Sequence, residues 1–339
     1  MIKTENKWRS QFYLSALLPE KRYATPRKNI RHTIRIYFLP VHLHISMQYG
    51  IVPGNRKGLS MKFIITADIH FGSRNDQGFS MQTKYTEQAP ELVHALGQAA
   101  VEQGAEFIIH AGDMITYGTA EEIKTAAQCC TTLPVPFYTV LGNHDCIRED
   151  FEQLWLEHGA AFFPEGTLET TLIRGGLRFD LLTNYWGENS PLYVQDTGFF
   201  TRLEQPQFDR LRAGDQTIPR IIVFHSQIRP AYPRQTGKTA NIHEPSNVFE
   251  DVGDAIIREF QPLLIAGGHN HLNVLEKLDP AYAITASSLS EAPFEYKLLE
   301  YKNGKLSMQT CSLADRISFP FTYDPERKFV QGDACDRTF

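Results

Sequence analysis

The sequence predicts an α/β fold, and three observations carry that reading. Short apolar runs of strand length alternate with segments of helical spacing, five of those runs end on residues able to bind metal, and the last part of the chain changes to short alternating runs.

The elements follow in order. Lys62 to Ala67 reads as a buried strand that runs into Asp68-Ile69-His70. Leu92, Leu96, Ala99 and Ala100, ahead of Gly104, have the spacing of a helix with a glycine stop. Glu106 to His110 delivers Gly112-Asp113, and Pro136 to Leu141 delivers Gly142-Asn143-His144-Asp145. Phe151, Leu154 and Trp155 mark a helix before Gly159, and Leu177 to Thr183 is a strand that ends near Tyr185-Trp186. Arg220 to Phe224 leads to His225, a helical stretch begins near Val248, and Pro262 to Ala266 leads through Gly267-Gly268 to His269-Asn270-His271. Such alternation implies crossover units and a largely parallel sheet flanked by helices. From Leu272 onward, Asn273 to Leu278, Ala281 to Ala286, Phe294 to Tyr301 and Lys305 to Cys311 are expected as antiparallel strands that close a second sheet.

All five islands would stand at strand C-terminal ends, the edge where open α/β sheets gather ligands. Asp, Asn and His offer oxygen and nitrogen ligands without thiolate, a mix that Zn, Mn and Fe accept. Taken singly, each island is a turn, a cap or a core histidine. Taken jointly, in one order and one strand context, they indicate a site for two metals.

In these blocks the chain resembles the calcineurin-like metallophosphoesterase superfamily, whose pattern is D-x-H, GD, GNH-D/E, H and GHxH. The likeness spans about Met61 to Cys311, and the GNHD form and length look most like the class III, cyclic-nucleotide phosphodiesterase-like branch. The resemblance implies a four-layer α/β/β/α sandwich of the metallo-dependent phosphatase type. It implies that Asp68, His70 and His271 hold one divalent ion (Fe, Mn or Zn), that Asn143, His225 and His269 hold the other, and that Asp113 bridges both. Activated hydroxide would then attack phosphorus in line. His144, with Asn143, would contact the phosphoryl group; His144 would protonate the leaving group, and Asp145 would orient it. His269 and His271, two apart, would project alike on extended backbone, so the turn after Gly268 is expected to splay them.

The implied activity is hydrolysis of a small phosphodiester such as a cyclic nucleotide. The alternatives are a phosphomonoesterase or nucleotidase, a DNA exonuclease of the repair type, and a non-catalytic scaffold. Against the nuclease stand Met114-Ile115-Thr116-Tyr117, where Leu-Phe-Asp is expected, and the acidic charge of the domain; against the scaffold stand the intact ligands. His94, His158 and His243 lie outside the strand-end pattern, and packing is the expectation for His110. Arg74 is a candidate phosphate contact and Tyr185-Trp186 a candidate aromatic lip. The long segment Ser226 to Asn247, with Arg229, Arg234 and Lys238, is a candidate substrate lid.

Charge divides the 339 residues. Residues 1–60 hold eleven Lys and Arg against two Glu, a balance of +9 that leaves −14 on the rest of a chain whose total is −5. This basic extension is read as a misassigned start, with Met61 as the natural one, in preference to a transit peptide or a nucleic-acid arm. Residues 61–311 would be the catalytic domain and 312–339 a C-terminal tail. Five cysteines that suggest no disulfide framework, Cys129 and Cys130 being adjacent, and the lack of a bilayer-length apolar run make the cytoplasm, away from membranes, the expected setting, with a small phosphorylated substrate.

Overall fold

The computed structural model describes residues 60–72, 81–184, 186, 201–236, 243 and 245–339. Residues 1–59 of the basic extension, Arg74, Tyr185 and Lys238 lie outside the described residues.

In chain order the strands are β1 (Ser60–Thr66), β2 (Ala105–His110), β3 (Phe137–Thr139), β4 (Thr170–Arg174), β5 (Leu177–Leu181), β6 (Arg220–Val223), β7 (Leu264–Gly267), β8 (Val274–Leu278), β9 (Ala281–Thr285), β10 (Glu295–Lys302) and β11 (Lys305–Ser312). The α-helices are α1 (Ala89–Gln103), α2 (Ala120–Thr131), α3 (Phe151–His158), α4 (Gln205–Arg212), α5 (Tyr232–Thr236) and α6 (Asn247–Phe260). One sheet has the order β11-β10-β1-β2-β3 and the other β4-β5-β6-β7-β9-β8.

Side-chain alternation makes these sheets the inner layers of a four-layer sandwich. Phe63, Ile65, Phe107 and Ile109 point from the first sheet into one apolar cluster with Phe179, Ile221, Val223, Leu264 and Ala266 of the second. The intervening Ile64 and Ile108 face outward, onto Leu92 and Leu96 of α1, Ile123 of α2 and Trp155 of α3. Likewise Ile222 and Ile265 face Leu211 of α4 and Phe249 and Ile256 of α6. Both faces of the central strands are therefore buried, which is why they read as continuous apolar runs.

Local chemistry sets the boundaries. α1 has Pro90 in its first turn and ends on Gly104 at φ 71. α2 starts with a reciprocal capping box between Thr119 and Glu122. β4 and β5 form a hairpin across Gly175-Gly176, both at positive φ.

The last strands differ from expectation. β8 and β9 extend the second sheet, but β10 and β11 return to the first, where β10 pairs antiparallel with β1 from Ser60↔Lys302 to Ile65↔Lys297. β9 is parallel to β7, so the segment after it reaches the same end of the sandwich as the segment after β7. Residues 312–339 lie on the domain. Phe319 and Phe321 pack edge-on against Phe294, Phe339 stacks on Tyr282 at 4.1 Å, and Arg337 pairs with Glu295 at 2.7 Å.

Candidate metal centre

β1, β2 and β3 of one sheet and β6 and β7 of the other all end at one edge, and each carries one island into the same cleft. Loop-to-loop hydrogen bonds prolong the pairing beyond the strands: Asp68 N donates to Gly112 O and His70 N to Asp113 O, both at 3.0 Å, and Gly268 N donates to His225 O at 2.8 Å.

Two groupings follow. Asp68, His70 and His271 offer ligand atoms within 4.8 Å of one another, and so do Asp113, His225 and His269. Asp113 also groups with His70 and His144, which places its carboxylate between the two sets. Asp113 Oδ2 is 3.3 Å from His225 Nε2 and 3.9 Å from His70 Nε2; Asp68 Oδ1 is 3.3 Å from His271 Nε2. Asn143 Oδ1 lies 3.0 Å from His269 Nδ1. The seven residues predicted as ligands are thus in one pocket.

Close approach explains the glycines. A Cβ on Gly112, which has φ +93, would lie 2.5 Å from His225 Nδ1, and a Cβ on Gly142 would lie 2.6 Å from Asp113 N and 2.7 Å from His225 Cδ2. The backbone is also bent at the ligands themselves. Asp68, His70, Asp113, His269 and His271 all have φ between 54 and 71. L-residues pay about 1–2 kcal/mol each for this left-handed region, a strain characteristic of functional sites. The backbone at His269 and His271 is therefore not extended, and the splay expected from the Gly268 turn arises at the histidines themselves.

The donor set fits metal. Asp68 and Asp113 are buried, 0% and 2% exposed, and among the described residues neither pairs with a lysine or arginine, so their charge needs a cation in the pocket. Burial lowers the His225 basicity, but the charge and hydrogen bond of Asp113, the charge of Asp68 and the Ala111 carbonyl lift it to about 9. For His271 burial is outweighed by Glu291 and Asp68, again to about 9. The protons so drawn onto Nε2 stand where a cation would displace them. Burial, with Lys84 and His144 next in effect, pushes His70 down; burial and His243 push His269 down, so both rings stay neutral. His225 Nδ1 meets Ala111 O at 2.7 Å and His271 Nδ1 meets Glu291 Oε1 at 2.6 Å, which aims both Nε2 atoms inward.

His144 is the half-exposed member of the group. Its N–H donates to Asp113 Oδ1 at 2.9 Å, and its Nδ1 lies 2.9 Å from Thr116 O. A carbonyl only accepts, so Nδ1 carries hydrogen and Nε2 is the atom free to exchange a proton. The expected contact from Asp145 to this ring is not made. Asp145 is fully buried and accepts N–H bonds from Gly142 at 2.8 Å, Met114 at 3.2 Å and Ile115 at 3.1 Å, which ties the third island to the second. Adjacent residues point apart here because the 144–146 turn is helical.

Other residues are placed differently from expectation. Trp186 is 2% exposed and packs on His269 and His225, with centroids 5.4 and 6.1 Å away, so it is a wall of the site and not an open lip. Arg229 pairs with Asp254, and Arg234 with the buried Asp336 at 2.8 Å, so neither is held toward the cleft. His110 is buried with Nδ1 at 2.9 Å from Thr139 Oγ1. Sequence reasoning passed over His243, whose Nδ1 is 3.2 Å from His269 Nε2, and Glu291.

The calcineurin-like phosphoesterase family model matches residues 61–273. No curated protein matches the chain. Among solved structures, a dimetal phosphatase from Danio rerio is similar at 14% identity and a TM-score of 0.56, over 74% of this chain and 96% of that one. The TT1561 protein of Thermus thermophilus has 16% identity and a TM-score of 0.49, over 75% and 100%. At 14% identity the likeness to the Danio rerio phosphatase is one of fold, whereas the family match covers more than half of the sequence and coincides with the strand-end ligands. The chain belongs to the calcineurin-like phosphoesterase family.

Proposed function

We propose that this metal-dependent phosphoester hydrolase acts on a small phosphodiester, a cyclic nucleotide or a comparable compound. In this reading Asp68, His70 and His271 hold one of the family's two divalent ions, Asn143, His225 and His269 hold the other, and Asp113 is shared. The ions, when bound, neutralise phosphoryl charge and acidify water. Asn143 and His144 face the phosphoryl oxygens, and His144 passes the proton on its Nε2 to the departing alkoxide while Thr116 O keeps the ring in register. Trp186 limits water behind His225 and His269.

The observation that carries the diester reading is the lack, among the described residues, of a guanidinium contact at the site. None of Asp68, His70, Asp113, Asn143, His144, His225 or His269 contacts an arginine among the described residues. A dianionic monoester is commonly clamped by guanidinium groups, whereas a diester carries a single charge. Five unpaired cysteines support a reducing, cytoplasmic setting, and no helix among the described residues is long and apolar enough to cross a membrane.

The test compares kcat/KM for bis-p-nitrophenyl phosphate, cyclic nucleotides and glycerophosphodiesters with that for p-nitrophenyl phosphate after reconstitution with Mn2+, Zn2+ or Fe2+. Preference for the diesters is expected. A higher value for the monoester would replace this reading with a phosphatase or nucleotidase.

A further inference from the structure

The segment after β9, residues 286–294, carries no ligand motif, yet it reaches the metal pocket because β9 runs parallel to β7. Within it Glu291 is 2% exposed and uses both carboxylate oxygens as acceptors. Oε1 lies 2.6 Å from His271 Nδ1, and Oε2 accepts the backbone N–H groups of Met81 at 2.9 Å and Gln82 at 2.6 Å. His271 in turn presents Nε2 to Asp68 Oδ1 at 3.3 Å and to His70 Nε2 at 3.4 Å.

We propose that Glu291 is a positioning residue that fixes the ring and tautomer of His271 and thereby sets the affinity of the metal position shared with Asp68 and His70. The inference rests on the reading of His271 as a ligand. A carboxylate acceptor requires hydrogen on Nδ1, so the Nε2 lone pair is left for the cation. The two backbone donors prevent the carboxylate from rotating away, and they tie residues 81–82 to it. Glutamine in place of Glu291 has one acceptor oxygen for three donors. Its NH2 group must face either the two backbone N–H groups or the imidazole, and in the second case it would favour hydrogen on Nε2, where the metal should be.

Calorimetric titration of metal-free protein with Mn2+ and nitrogen-15 histidine NMR test this for the wild type, Glu291→Gln and Glu291→Asp. We expect two sites in the wild type. In Glu291→Gln one site should weaken by about 10–100-fold, with a changed His271 tautomer signal and an unchanged second site. Glu291→Asp, which keeps two acceptor oxygens, should weaken it less. Equal binding by all three proteins would overturn this inference alone. Loss of both sites together with a lower metal-free melting temperature would overturn it in favour of a purely structural role. Absence of Mn2+ binding by the wild type would overturn the ligand assignment first, and this inference with it.

Discussion

Alanine at Gly142 tests whether the third island is glycine-led for space. This residue has an ordinary φ, so alanine meets no backbone penalty and the perturbation is steric. The added carbon would stand 2.6 Å from Asp113 N and 2.7 Å from His225 Cδ2, where ordinary contact begins at 3.4 Å. Relief requires movements of about 0.7–0.8 Å in both the backbone that carries the shared carboxylate and the His225 ring, and a larger one of the Asp113 carboxylate oxygen, which is the nearest atom of all. Metal sites tolerate about 0.2 Å in ligand distance, and a misplacement near 1 Å costs about a hundredfold in rate. Gly142→Ala should therefore lose metal, measured by mass spectrometry of the dialysed protein, and about two orders of magnitude in kcat/KM, while overpacking costs about 1–3 kcal/mol of stability. Gly104→Ala is the control. Its φ of +71 is strained but no atom lies within 4 Å of the added carbon, so it should lose stability and keep metal. Full metal content and near-normal activity in Gly142→Ala would refute the claim that this glycine exists to admit Asp113 and His225.

Asp113→Ala should lose both metals, because one carboxylate serves both groupings, and metal analysis after gel filtration checks it. His144→Ala should keep both metals and lose about 10²–10⁴ in turnover; the loss should be smaller for activated p-nitrophenyl leaving groups, which need no proton, than for alkyl esters. Thr119→Ala should cost about 1 kcal/mol in urea unfolding through loss of the α2 cap, with KM unchanged. Lys297 is fully buried against Thr310, and burial, offset in part by Glu295, pulls its ammonium down to about 7, so the unfolded chain holds the proton between about pH 7 and the ordinary 10.5 and the fold does not. Lys297→Met should thus be more stable than the wild type, with a gap that widens to a few kcal/mol as pH falls from about 10 to about 7 and then stays level; a gap independent of pH would show that Lys297 titrates normally.

The pocket could be foreseen because parallel strands place their C-terminal ends at one edge whatever their separation in sequence. Buried on both faces, β1, β2, β6 and β7 announce themselves as apolar runs, and the next polar residues must lie in the cleft. That rule located Asp68, Asp113, His225 and His269 without a side-chain coordinate. Where it failed, the missing information was pairing. Phe294 to Tyr301 has the same alternation whether it extends one sheet or the other, and only its register against β1 from Ser60 to Ile65 decides. The same ambiguity hid Glu291, since β9 looks like part of an antiparallel series until its parallel contact with β7 is known. The Gly175-Gly176 turn between two apolar runs carries a hairpin signal for β4. Asp145 marks another limit. Proximity along the chain suggested a partner for His144, but three backbone N–H groups that converge on one buried carboxylate outcompete a single neighbouring imidazole, and the ring takes the Thr116 carbonyl instead. Spacing thus specifies which residues arrive at the cleft, while backbone donors and acceptors, silent in the sequence, decide which way their side chains are held.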